Sequence, residues 1–187
     1  MKVSREQAAR NRENVVEVAS RLFRAHGVDG VGIGEVMRAC GLTHGGFYNQ
    51  FESKEALAAE ACGAALARSA TRWRDLVAGA GEGKAATTIA DDYLSPRNRD
   101  AAETGCALIA LGPDAARRGG DLADAFQRGF EELTGILQQS TPELDRQATL
   151  ARMAQLVGTV ILARGVADPT LSDEILISGR AALGLPD

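Results

Sequence analysis

The sequence predicts an all-α protein of about nine helices, and three features carry that expectation. Apolar residues recur at helical spacing along most of the chain, and no segment shows the alternation of a half-buried strand. Aromatic residues are only 4% of the chain while glycine numbers 21, a mix that favours closely packed helices over sheets, which draw on aromatic and β-branched side chains. The 187 residues, 45% hydrophobic and 25% charged, are enough for a core that needs no disulfide or metal staple.

In chain order, Val15, Val16, Ala19, Leu22 and Phe23 form one apolar stripe on a helix over 5–25, which His26-Gly27 closes. Ile33, Val36, Met37 and Cys40 stand at i, i+3, i+4, i+7, a short helix stopped by Gly41. A further short helix is expected over 44–51, with Phe47 and Phe51 on one face. Ser53 is a good N-cap for a long helix that carries Ala56, Leu57, Ala61 and Ala64 inward and runs to about residue 77, before Gly79, Gly81 and Gly83. A helix over 84–94 should stop at Ser95-Pro96, and another over 105–111 at Gly112-Pro113. Leu122, Phe126, Phe130, Leu133 and Leu137 mark an amphipathic helix over 121–139. The last two helices are expected over 144–166, apolar all round in its second half, and over 169–183.

Several function classes are excluded at this stage. The uncharged apolar stretch 153–163 is short of the roughly 20 residues a bilayer span needs, so no membrane partner is expected. The N-terminal residues are charged from the start and lack a signal-peptide core. Cys40, Cys62 and Cys106 are an odd number without metal or disulfide spacing, which makes a reducing cytoplasm the expected compartment. No cofactor, metal or catalytic constellation is expected, the histidines being His26 and His44 alone. The net charge of −4 speaks at first against nucleic acid, yet it is unevenly spread. Through residue 24 six Lys/Arg stand against three Asp/Glu, a balance of +3, which leaves −7 on the remainder. Lys2, Arg5, Arg10 and Arg12 are therefore a candidate basic arm beside a DNA-facing element.

Two short helices joined at Gly41-Leu42-Thr43 are a helix-turn-helix, whose second member enters the DNA major groove. Gly45 and Gly46 weaken that second helix by roughly 1 kcal/mol each relative to alanine, as a backbone would that something large approaches closely. The run LTHGGFYNQFESKEAL over 42–57, within residues 12–57, resembles the DNA-binding domain of TetR-type transcriptional repressors. Tyr48, Phe51, Ser53-Lys54-Glu55 and Leu57 at these spacings carry the resemblance. The segment YLSPRNRD followed by Gly105-Cys106 is similar to one branch of these regulators. The resemblance implies a DNA-binding domain over 1–52 and a helical ligand-binding and dimerisation domain over 53–187. It implies that Thr43 and Tyr48 contact phosphates, that Lys54 pins another, and that His44, Gly45 and Asn49 face bases, with Phe47 and Phe51 in the core. Taken alone, Tyr48 reads as a half-buried tyrosine and Lys54 as a solvated charge. The sequence departs from the family at Gly32, where Ser or Thr usually caps the second helix, and at Asn49-Gln50, where aromatic residues or histidine are usual.

In the second half, Cys106 follows a glycine near a helix start, with Lys84, Arg97 and Arg99 in the same stretch. Such surroundings lower a thiol pKa and suit an oxidation or electrophile sensor; the plain alternative is packing within CALIAL. Cys40 and Cys62 read as packing. Trp73, Tyr93, Cys106, Leu108, Phe126, Phe130 and Met153 are candidate pocket residues, a reading that rests on the family's inducer site. The 144–166 helix must be covered on every side. Met153, Val157, Val160 and Ile161 are expected in the core, and Ala154, Gly158 and Leu162, with Leu171, Ile175 and Gly179, at a two-fold helix-bundle interface. The expected partners are thus double-stranded operator DNA, a small-molecule inducer and a second copy of the chain. An inducer-released repressor is the first reading and a Cys106-triggered one the second. A helical enzyme or ligand carrier with a vestigial helix-turn-helix is the rival from another class.

Overall fold

A computed structural model describes residues 5–185, so Lys2 of the expected basic arm lies outside the described residues. Helix α1 (Arg5–His26) buries Val15, Ala19 and Phe23, the stripe read from the sequence. It ends where Gly27 takes φ +73° and donates its N–H to Phe23 O. Helix α2 (Ile33–Ala39) starts at Gly32, which offers no side-chain cap, and buries Val36 and Met37. Gly41, at φ +70°, turns the chain so that Leu42 N–H reaches back to Met37 O at 2.8 Å.

The helix expected over 44–51 is not formed. Its place is taken by one 3-10 turn, His44–Gly46, followed by turns to Gln50. Gly46 N–H bonds Thr43 O and Phe47 N–H bonds His44 O, and beyond these the segment holds only the bonds from Gln50 N–H and Phe51 N–H to Phe47 O. Two adjacent glycines, each roughly 1 kcal/mol poorer than alanine in a helix, are enough to stop so short a segment from propagating.

Helix α3 (Lys54–Gly79) is the spine of the molecule. The Ser53 hydroxyl caps it by accepting Ala56 N–H at 3.0 Å, and Leu57, Ala61, Cys62, Leu66, Ala70 and Trp73 form its buried stripe. It packs most extensively on α7 (Gly120–Ser140), and α1 lies on its N-terminal half. Gly129 of α7 permits the close crossing, because a Cβ there would overlap Leu66.

Helix α4 (Ala85–Tyr93) is as expected, but Ser95-Pro96 starts a helix as well as ending one. Ser95 caps α5 (Pro96–Asp100) by accepting Asn98 N–H at 3.2 Å, and Pro96 takes the first helical position, where its missing N–H costs nothing. Helix α6 (Ala107–Arg118) runs through Gly112-Pro113 rather than stopping there. Gly112 packs against the Phe126 ring, and buried Asp114, one residue beyond the proline, accepts Val28 N–H at 3.2 Å. Tertiary packing thus overrides the local stop signal.

Helices α8 (Arg146–Gly165) and α9 (Pro169–Ala182) are capped by Asp145 and Asp168 and pack against each other. The described residues hold nine α-helices and no strand. That number equals the expected one because the helix missing at 44–51 is offset by α5. Among the described residues, no helix is long and apolar enough to cross a membrane.

Candidate functional site

Two sites emerge, one at each end of α3. At its N-terminal end, Phe47 and Phe51 stack at 5.5 Å between centroids and are buried, as expected. They form a pedestal for the turn above them. Tyr48 stands edge-on to Phe47 at 5.2 Å yet is 63% exposed, so it is not the half-buried tyrosine that burial statistics alone suggest. Thr43, His44, Gly45 and Asn49 are exposed beside it, and half-buried Lys54 opens α3 next to them. A Cβ on Gly45 would meet nothing within 4 Å, so nothing inside the chain requires glycine there. The structure therefore brings all six candidate contact residues to the N-terminal end of α3, five of them on a turn instead of a helix and Lys54 as the first residue of α3. The basic residues of α1 are partly spent within the fold. Arg10 pairs with Glu6 at 2.8 Å, and Arg12 pairs with Glu60 while its guanidinium covers the Phe51 ring at 4.6 Å.

The second site is a cavity of about 190 Å³ between α3, α4 and the segment 95–106. Helix α3 contributes Ser69, Arg72 and Trp73, which share a face at i, i+3 and i+4, and α4 contributes Asp92 and Tyr93. Asn98, Ala101, Thr104, Gly105 and Cys106 close the far wall, with Arg97 and Ser95 also in the lining. Trp73 and Tyr93 meet edge to face at 5.8 Å. Of the seven pocket candidates, Trp73, Tyr93 and Cys106 are brought together here. Leu108 and Met153 are buried core residues, and Phe126 and Phe130 pack against the core; none of these four borders the cavity. Ser69, Arg72, Asp92 and Asn98 were missed. The face shared with Trp73 was a usable signal for the first two, and the YLSPRN run for Asn98.

Cys106 stands at the N-cap position of α6, 7% exposed and without a side-chain capping bond. Burial pushes its thiol pKa up, outweighing nearby hydrogen-bond donors that act the other way, so the expected depression is reversed. Burial likewise raises the Tyr93 hydroxyl well above its ordinary range. That hydroxyl lies beside the Cys106 sulfur without hydrogen-bond geometry and has no other partner. Cys62 is pushed up to about 12, by burial first and Cys106 second. No cluster of three or more His, Cys, Asp or Glu side chains among the described residues could hold a metal ion.

The cavity wall is fastened from both sides. Arg24, near the end of α1, donates to Gly105 O at 2.8 Å and to Ser20 O at 2.9 Å, all within the interior. From α8, Arg164 donates to Arg99 O at 2.7 Å and Asn98 O at 2.6 Å, and Asn98 donates to Tyr93 O at 2.7 Å. Gly105 leaves no room for a side chain, since a Cβ would come within 2.5 Å of the backbone Ala101 O, with Arg164 Nη2 at 2.6 Å. These arginines were not anticipated.

On α8 and α9, Leu162 is 61% and Leu171 43% exposed, Ala154 is exposed, and Gly158 and Ile175 are half-buried. Gly179 is buried inside the α8–α9 crossing, where a Cβ would lie 2.5 Å from Thr159 Cγ2. Ile161, expected in the core, is 42% exposed, as is Ile177 at 53%.

Comparison with known proteins agrees with this geometry. The model of bacterial regulatory proteins of the tetR family matches residues 15–61, the stretch from the middle of α1 into α3. The HTH-type transcriptional regulator AcrR of Shigella flexneri is 35% identical over 57 residues, 30% of this chain and 26% of that protein's length. A TetR transcriptional regulator from Chloroflexus aurantiacus superposes with a TM-score of 0.79 at 26% identity, covering 96% of each chain. The reduced form of NemR from E. coli gives 0.77 at 21% identity, over 93% of this chain and 95% of that one. Residues 15–61 thus match the tetR family model, and the chain as a whole shares the fold of TetR-type regulators, while it spans about a quarter of the length of the curated relative it matches.

Proposed function

We propose that the protein is a cytoplasmic, homodimeric repressor that binds double-stranded operator DNA through residues 1–52 and is released by a small-molecule inducer bound in residues 53–187. The observation that carries this reading is Tyr48, large, aromatic and 63% exposed on a buried aromatic pedestal, beside a glycine that nothing in the chain requires. Thr43, Tyr48 and Lys54 then hold phosphates, and His44, Gly45 and Asn49 face base edges, where asparagine can pair with adenine. The exposed apolar residues of α8 and α9 are the surface on which a second copy would pack, setting two recognition turns at half-site spacing. Because binding is linked, an inducer that weakens DNA must itself be weakened by DNA to the same factor.

The test is fluorescence anisotropy on DNA from the protein's own upstream region. Lys54→Ala should weaken binding and lower the dependence of log affinity on log salt by about one per subunit. Tyr48→Ala should weaken binding with the melting temperature unchanged. Specific binding by both variants at wild-type strength would remove these residues from the interface.

Modification of Cys106 is the second reading, favoured by the position of its thiol in the cavity wall and opposed by the protonated state that burial imposes. Release of DNA by peroxide from wild type and equally from Cys106→Ser would dismiss it.

A further inference from the structure

We propose that the cavity beside Trp73 is built for a one-ring aromatic acid, whose ring lies against Trp73 and Tyr93 and whose oxygens meet the Tyr93 hydroxyl and Arg97. This deepens the inducer reading above and rests on it for any effect on DNA.

Size sets the first limit. A volume of about 190 Å³ lies just above the roughly 150 Å³ of an engineered protein cavity that takes up benzene. One ring with a small substituent fits, and a fused polycycle does not. The walls suit a ring, since Trp73 and Tyr93 stand at 78° and present an aromatic corner.

The polar groups select the substituent. Tyr93 is 3% exposed, and its buried hydroxyl has only the weakly accepting Cys106 sulfur beside it and no oxygen or nitrogen partner within the chain. A buried hydroxyl left unpaired is costly, so a ligand that accepts its proton removes a penalty already present in the empty site. Other donors and acceptors in the lining are largely spent. Arg72 is paired with Asp92, which cancels both charges, Asn98 gives its amide to Tyr93 O, and Ser69 donates to Ala65 O. Arg97 alone remains as a lining cation without a carboxylate partner among the described residues. One surplus positive charge and an unused donor call for an acceptor-bearing monoanion. The Cys106 thiol stays neutral through burial and adds no opposing charge. The site is also preformed, because Arg24 and Arg164 hold its far wall by backbone carbonyls.

The chain's single tryptophan lies in the wall, so occupancy can be read directly from Trp73 emission on the full-length protein. Benzoate, benzyl alcohol and benzylamine serve as probes of nearly equal size and different charge. Benzoate should quench Trp73 saturably and bind more tightly than benzyl alcohol, with benzylamine weakest. Arg97→Ala, an exposed position that leaves the fold intact, should cost benzoate about five-fold and benzyl alcohol nothing. Tyr93→Phe, which removes within the chain no more than the weak contact to the Cys106 sulfur, should cost both about five-fold. No saturable response to benzoate, equal binding of the three probes, or a benzoate preference that survives Arg97→Ala would overturn the proposal. Operator binding followed in the same samples separates the two readings. Quenching by benzoate without DNA release supports this ligand class and removes the cavity from control of DNA. DNA release by other compounds, with no benzoate quenching, overturns the ligand class and leaves the repressor reading standing.

Discussion

Two glycines differ sharply in what surrounds them, one set in close packing and the other in open space. Gly129 lies where a Cβ would overlap Leu66, in the most extensively packed helix pair of the fold. Gly129→Ala gains roughly 1 kcal/mol of helix propensity but must push Leu66 aside, an overpacking cost of about 1–3 kcal/mol. The melting temperature should therefore fall, by about 3 °C for each net kcal/mol; an unchanged melt would show that the α3–α7 crossing relaxes freely. Gly45 has open space around its Cα instead. Gly45→Ala should leave stability within about 0.5 kcal/mol of wild type while weakening specific DNA binding in the anisotropy assay. Full DNA affinity in that variant would mean that nothing approaches the turn closely.

At the level of elements, the exposed apolar faces of α8 and α9 make a sharp demand on assembly. Leu162 is 61% exposed at the middle of that surface. Leu162→Glu should convert a dimer to a monomer in light scattering while retaining the helical circular dichroism signal. A dimer unaffected by the change would place the interface elsewhere. Long elements with clear stripes or caps were legible from sequence, as at Val15-Ala19-Phe23 in α1 and Ser53 at the start of α3. Short ones were misread where one local rule met another force. Gly45-Gly46 halted a helix that Phe47 and Phe51 suggested, while packing of Gly112 on Phe126 carried α6 through Pro113. Ser95-Pro96 signals a start as readily as a stop, which hid α5. For the sites, the exposed turn was legible because its motif is contiguous, and Trp73, Tyr93 and Cys106 were found as cavity residues. Arg24 and Arg164 were not, because they bind backbone carbonyls 81 and 66 residues away, and carbonyls carry no sequence signal.

Over the whole molecule, the two sites are joined by short physical links. Arg24 ties the end of α1 to the cavity wall at Gly105, and Asp114 of α6 ties the same region through Val28 N–H. Arg164 ties that wall to α8, whose outer face is the proposed dimer surface. Under the proposed function, a ligand that displaced this wall would act through these bonds on both the proposed DNA-binding end and the proposed subunit contact. Arg24→Lys keeps the charge and loses the reach to two carbonyls at once. It should bind any ligand that quenches Trp73 as wild type does, yet show a smaller ratio of operator affinities without and with that ligand. An undiminished ratio would take Arg24 out of the coupling. The uneven charge, +3 through residue 24 against −7 beyond it, is in keeping with the proposal that DNA is met at the N-terminal end. With few unpaired cations on α1, the proposed repressor would rely on a second subunit and on site sequence for its affinity. The most direct measurement is a binding selection from genomic DNA with the purified protein, run beside Tyr48→Ala and Lys54→Ala. Wild type should enrich a two-fold symmetric site with half-sites spaced by whole helical turns, which both variants fail to enrich. Enrichment of no sequence, or of the same site by all three proteins, would contradict a DNA reader built on the 43–54 turn.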